Sequence, residues 1–151
     1  TQCVVLEPTE PLRDNFPLGR VSSKGLYFRP EHNGDLLVGG GWHPEERPER
    51  AGGKADGEFR NYVAETLPSV IRGTENARFI NDWAGVDTAT PDTKPVIDRI
   101  PNGPDGILVA TGFNGLGVMM SPIAGAVTRS LLTGGSPTFQ TQIFKGVSAL
   151  I

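Results

Sequence analysis

Apolar and polar positions divide the chain into short runs cut by glycine and proline. The first run, "TQCVVLEP", is β-branched and stopped by Pro8, so a strand is predicted, followed by the proline-punctuated connection "EPTEPLRDNFPLG". "GLYFRP" and "DLLVGGGW" are two further strand-like runs separated by "EHNG". Asn33-Gly34 favours positive φ at that point, which predicts a tight antiparallel hairpin. After the polar loop "WHPEERPERAGGKADG", Asp56 stands where it can cap a helix. Phe59, Val63 and Leu67 recur on one face of it, and Pro68 ends it, giving a predicted helix over 57–67. "ARFINDWAGV" and "PVIDRI" are strand candidates around the turn "TPDTKP", and "ILVAT" after "PNGPDG" has the uninterrupted apolar character of a buried strand. In the last clear element Ser121 is the expected N-cap and Pro122 the first helical residue. Ile123, Val127 and Leu131 share a face there, and Gly134 stops the helix. The tail, 136–151, has no clear period.

Composition narrows the class. With 151 residues, 37% hydrophobic and 21% charged, one soluble globular domain or a piece of one is expected. A net charge of −3 without any Lys/Arg cluster disfavours nucleic acid and anionic membrane as partners. No apolar run is long enough for a spanning helix, and Thr1–Pro8 has no basic or apolar leader, so no membrane span or export is expected. The single cysteine, Cys3, is expected as a buried strand thiol, which makes a reducing, cytoplasmic setting the expectation. The first residue is Thr, and the chain reads as a piece of something longer.

Several candidate motifs fall away on spacing. "GGK" at 52–54 is followed by Ala55 where a phosphate loop needs Ser or Thr, and it has neither the upstream glycine nor a preceding strand. His32 and His43 lack ligand spacing and a second cysteine, so no metal site is expected. "EERPER" is a solvated face, and without a Gly-x-Ser-x-Gly elbow or a plausible triad hydrolase chemistry has no support. What remains is "GILVATGFNGLGVMMSPIAGAVTRSLLTGG", a strand, a glycine turn and a helix N-terminus, the arrangement in which backbone N–H groups converge on an anionic ligand atom. Its order is Gly112-x-x-Gly115-x-Gly117 rather than Gly-x-Gly-x-x-Gly, and no acidic residue follows the helix to hold a ribose. The stretch is therefore not the pyrophosphate-gripping first unit of a dinucleotide fold. Taken alone, its glycines serve close strand-to-helix packing equally well.

Three elements in series, "YFRP…GDLLVGGG", "WAGVDTATPDTKPVIDRIP" and "GILVATGFNGLGVMMSPIAGAVTRSLLTGG", give the chain a wider resemblance over roughly 25–135. It resembles the C-terminal portion of the flavin-dependent amine and amino-acid oxidoreductases, the family of glycine oxidase, sarcosine oxidase, dimethylglycine dehydrogenase and D-amino-acid oxidase. The resemblance implies an α+β fold: a mainly antiparallel substrate-domain sheet, followed by a C-terminal strand, loop and helix belonging to an FAD-binding α/β domain. Residues 1–105, with helix 57–67, would be part of the substrate-binding domain, 106–135 the FAD-domain element and 136–151 a tail. The resemblance also implies FAD as cofactor, with Gly112, Phe113, Asn114, Gly115, Leu116, Gly117, Val118 and Met119 forming the loop over the flavin ring. Gly115 to Met119 would supply the backbone contacts near its pyrimidine edge. The N-terminal half of the FAD site has no counterpart in these residues.

Departures from the family pattern matter as much. Gly85 stands where sarcosine oxidase attaches flavin through cysteine, which implies noncovalent FAD. Gly39 stands where that enzyme has its oxygen-activating lysine, which makes a dehydrogenase plausible. Asp87 and Met119 replace carboxylate anchors of glycine oxidase and sarcosine oxidase, so the carboxylate is held from elsewhere or the substrate is not a simple amino acid. Asp87 could receive a substrate ammonium or merely cap the following turn, and Tyr27 could line the substrate side or belong to the core. No catalytic residue is assigned.

The leading expectation is a fragment of an FAD-dependent oxidoreductase that oxidises the C–N bond of an amino acid or N-methylated amine and is inactive by itself. A non-catalytic substrate-domain or accessory subunit is the alternative, and a domain whose glycines serve only packing is a third. An N-terminal FAD-binding segment is an expected partner, and pairing between copies along uncovered sheet edges is expected.

Overall fold

A computed structural model describes residues 1–13, 15–40 and 53–135. His43, the "EERPER" run, the start of "GGK" and the tail 136–151 lie outside the described residues. The chain divides into two compact units, Thr1–Val86 and Asp87–Ile151.

The first unit is built on seven-residue or shorter strands: β1 (Gln2–Glu7), β2 (Gly19–Val21), β3 (Leu26–Pro30), β4 (Leu36–Gly40) and β5 (Arg78–Ala84). They form one antiparallel sheet in the order β2-β3-β4-β1-β5, so the first strand of the chain lies inside the sheet. Alternation of side chains sends Val4, Leu6, Leu26, Leu36 and Val38 to one face, where Phe59 and Val63 of α1 (Gly57–Thr66) and then Leu67 and Ile71 cover them. Val4, Leu36, Val38 and Val63 are wholly buried. Each such side chain contributes about 1.5–3 kcal/mol through removal from water. The other face carries Cys3, Val5, Tyr27, Arg29, Leu37, Gly39 and Trp83, as the cross-strand register requires.

The β3–β4 hairpin forms where predicted. Gly34 adopts φ +90°, donates its N–H to the Glu31 carbonyl (3.0 Å), and Glu31 donates to Asp35 (2.8 Å). The one left-handed residue is thus the glycine, not the Asn33-Gly34 pair. Helix α1 also appears where its period predicts, but Asp56, its N-cap, makes no side-chain capping bond. Gln2 accounts for the difference: its side-chain amide receives the Asp56 backbone N–H and donates to the Asp56 carboxylate (3.4 Å), pinning the helix entry to β1.

In the second unit β6 (Val96–Arg99) pairs antiparallel with β7 (Leu108–Thr111), and α2 (Gly117–Thr133) packs Ala124 and Val127 on Ile97, with Phe113 and Leu131 at the margin. Residues 87–105, grouped above with the first part of the chain, here pack with 106–135 through that pairing. Two expectations need correction. The segment 107–111 is not fully buried, because among the described residues β6 alone pairs it: Ile107 is 45% exposed and Leu108 and Val109 are half-buried. Helix α2 begins at Gly117, so Ser121 is not its N-cap and Pro122 lies inside it. The helix tolerates the proline because the carbonyl left without its backbone donor, that of Val118, accepts from the Ser121 hydroxyl instead (2.8 Å). The whole is a mixed α/β fold with antiparallel sheets. No helix among the described residues is long and apolar enough to cross a membrane.

Candidate functional site

The glycine loop between β7 and α2 has two halves with different tasks. In the first, Gly112 is buried at φ +73°, and a Cβ there would stand 2.5 Å from the Thr90 methyl, so this closely packed left-handed position requires glycine. Phe113 turns into the core beside Ile97 and Val127. Asn114, itself left-handed at φ +51°, uses its side chain internally. Its amide oxygen accepts from the Thr90 N–H (3.0 Å), its amide nitrogen donates to the Thr90 hydroxyl (3.3 Å) and the Gly112 carbonyl, and its backbone N–H donates to the Thr88 carbonyl (3.3 Å). The loop is thereby tied to the turn after Asp87. Thr88 and Thr90 carry that tie; Thr90 opens the turn "TPDTKP" named in the sequence, but neither threonine was singled out there as a support of the glycine loop.

The second half faces outward. Gly115 (φ +81°) and Leu116 are exposed, and Val118 and Met119 are 93% and 70% exposed, although both are apolar. Leu116 is the N-cap of the 17-residue helix, with no side-chain capping bond and no acidic residue in the first turn. The first N–H groups of a helix have no partner within it, and with the aligned peptide dipoles they form a site of partial positive charge. The Asp87 carboxylate lies beside this half, Oδ2 standing 3.2 Å from where a Cβ on Gly115 would be. The structure thus brings Asp87, Gly115 and the start of α2 together.

Tyr27 and Gly39 come together in the first unit, on the sheet face turned away from α1. They are direct cross-strand partners, and the Tyr27 ring lies over Gly39 so closely that any Cβ there would overlap its atoms. The phenol reaches on to β1, where its oxygen is 3.3 Å from Cys3 Sγ. Burial, with the Cys3 contact adding to it, pushes the Tyr27 hydroxyl up from 10.0 to about 12, against an opposing pull from Arg29. It stays neutral over the ordinary pH range. Cys3 is a buried strand thiol, as its setting predicts. Arg29, two residues beyond Tyr27 on the same face, went unnoticed in the sequence; strand alternation from Tyr27 was the signal.

Comparison with known proteins adds a family and relatives. A family described as FAD dependent oxidoreductase (DAO) matches residues 1–131. A glycine oxidase of Bacillus licheniformis is 30% identical over 111 residues, 72% of this chain and 28% of that protein. Among solved structures, L-proline dehydrogenase from P. horikoshii superposes with TM-score 0.69 at 26% identity, covering 89% of this chain and 35% of the other. Iminodiacetate oxidase from Chelativorans sp. BNC1 does so with TM-score 0.79 at 15% identity, over 96% and 38%, which shows a common fold. The chain therefore spans about a third of the length of the proteins it matches.

Proposed function

The chain belongs to the FAD dependent oxidoreductase family, and from that premise we propose that it oxidises the C–N bond of an amino acid or N-methylated amine, working together with a segment that grips the FAD pyrophosphate. The observation that carries this reading is the exposed, uncapped start of α2 with two apolar residues, Val118 and Met119, standing beside it. Such a rim suits the edge of a flat, partly apolar ring system whose charge lies at one side. In this reading Gly115, Leu116, Gly117, Val118 and Met119 hold the ring through their backbone, while Gly112, Phe113 and Asn114 fix the loop from behind. Residues 106–135 then belong to the FAD-binding domain and the sheet of the first unit to the substrate-binding domain.

Bound FAD would supply a two-electron acceptor for the C–H bond beside nitrogen. The protein's part is to stabilise the negative charge that the ring gains, which the N–H groups at the start of α2 are suited to do. Gly85 supports noncovalent attachment. The Tyr27 ring over Gly39 supports an acceptor other than oxygen, since no cationic side chain can share that place.

The test is FAD titration of this chain and of the same chain preceded by its upstream coding sequence, followed by visible spectra and anaerobic reduction with glycine, proline, sarcosine and dimethylglycine. A yellow longer protein reduced by at least one amine is expected. A longer protein that stays colourless and binds no flavin overturns the reading and leaves the non-catalytic accessory subunit.

A further inference from the structure

Asp87 begins the segment to which the glycine loop is tied. Its carboxylate is half-buried, with Oδ2 3.2 Å from the place of a Cβ on Gly115. It fills neither of the structural roles ordinary for an aspartate before a turn. The first is to cap that turn by accepting an N–H two or three residues on. Here the Thr90 N–H donates instead to the Asn114 side-chain oxygen (3.0 Å), and no bond from Ala89 takes its place. The second is to cap a neighbouring helix, but α2 has no side-chain capping bond at its start. An ion pair does not engage it either: those among the described residues join Arg29 to Glu31, Arg60 to Asp82 and Arg78 to Glu7. The Asp87 carboxylate is thus without a hydrogen-bond or ion-pair partner among the described residues.

We propose that Asp87 binds a cationic nitrogen of the substrate through a charge-assisted hydrogen bond, so that the substrate is recognised at this place by its ammonium end. This rests on the function proposed above and deepens it.

The surroundings support the assignment. The segment is fixed without help from the carboxylate, since the Thr88 carbonyl accepts the Asn114 N–H (3.3 Å) and the Thr90 hydroxyl accepts from the Asn114 amide (3.3 Å). Asp87 is therefore held in place by Asn114 while its own oxygens stay available. An ionised carboxylate only accepts hydrogen bonds, and a cationic donor gains most from it. It repels a second carboxylate, so the same group selects against an anion. The oxygen remains approachable because residue 115 is glycine, at φ +81°, with no side chain to crowd it.

The experiment uses the chain preceded by its upstream coding sequence and three ligands of nearly one shape: tert-butylammonium, tert-butanol and pivalate. The amine has no hydrogen on the carbon beside its nitrogen, so it binds without being oxidised. Calorimetry reads binding whether or not flavin is present, and the visible spectrum reports flavin separately, so failure of the proposal and failure of the FAD reading are distinguishable. Saturable binding of tert-butylammonium is expected, about tenfold or more tighter than that of tert-butanol or pivalate. The preference is expected to persist in Asp87→Glu, to vanish in Asp87→Asn and to turn toward pivalate in Asp87→Lys. Circular dichroism confirms that each variant is folded. Equal binding of amine and alcohol by the wild type, a preference for the amine that survives in folded Asp87→Asn or Asp87→Lys protein, or no saturable binding of the amine overturns the proposal.

Discussion

At the scale of single residues, Tyr27 is held by two neighbouring strands. Its ring fills the space above Gly39 and its hydroxyl meets Cys3, and burial first, with the Cys3 contact adding to it, raises its ionisation to about 12 from an ordinary 10.0. Because the folded form holds this proton more tightly than the unfolded chain does, the stabilisation is complete below pH 10 and is lost as pH rises through about 12. The expected outcome is that the wild-type denaturation midpoint falls more steeply between pH 10 and 12 than that of Tyr27→Phe. Phenolate absorbance in a Tyr62→Phe background, where Tyr27 is the remaining tyrosine, gives the ionisation directly. Parallel midpoint curves for the two proteins would contradict the assignment. None of this coupling was legible in the sequence. "YFRP" and "LVGG" suggest strands, but that a particular tyrosine covers a particular glycine depends on register, and register is set by pairing across the hairpin.

At the scale of elements, period and turn chemistry were informative wherever one face is buried. The hairpin at Asn33-Gly34 and the helix at 57–67 appear in place, since Gly34 is suited to positive φ and Phe59, Val63 and Leu67 have a sheet to cover. The start of α2 was misplaced for a physical reason: Ser-Pro is a good helix opening, and only tertiary structure shows that a further turn precedes it. The Ser121 hydroxyl that replaces the missing N–H of Pro122 makes a coupled prediction. Ser121→Ala is expected to destabilise by about 0.5–1 kcal/mol, since the Val118 carbonyl loses its protein donor at an exposed site. Pro122→Ala restores a backbone donor, so in that background Ser121→Ala is expected to cost almost nothing. Guanidinium denaturation of the four proteins checks it, and additive effects would refute the substitution of one donor by the other. The glycine loop shows the same limit of sequence reading. Its eight residues look like one motif, yet Gly112, Phe113 and Asn114 turn inward and Gly115 to Met119 outward, a division that depends on Thr88 and Thr90.

At the scale of the molecule, resemblance carried what local pattern could not. The family was recognisable from motifs in series, and residues 1–131 match it, while the place of each candidate contact needed coordinates. One consequence is colloidal. Strand β5 is an edge among the described residues, and Phe79, Ile80 and Trp83 on it are about 40% exposed. An apolar edge of this kind is a template for another strand, so the isolated chain is expected to self-associate. Multi-angle light scattering over a concentration series tests this, and a monodisperse monomer at all concentrations would count against it.

The placement of β1 has a kinetic consequence as well. Val4 lies opposite both Val38 and Asp82, so β1 is flanked by segments that follow it at long range in the sequence. Contacts of such long sequence separation slow folding, because a large loop must close before any pairing stabilises it. During synthesis β4 can pair with one edge of β1 well before β5 is available to pair with the other. Of the five described strands β1 comes first in the sequence, yet it has both its neighbours only when the last of them has been made.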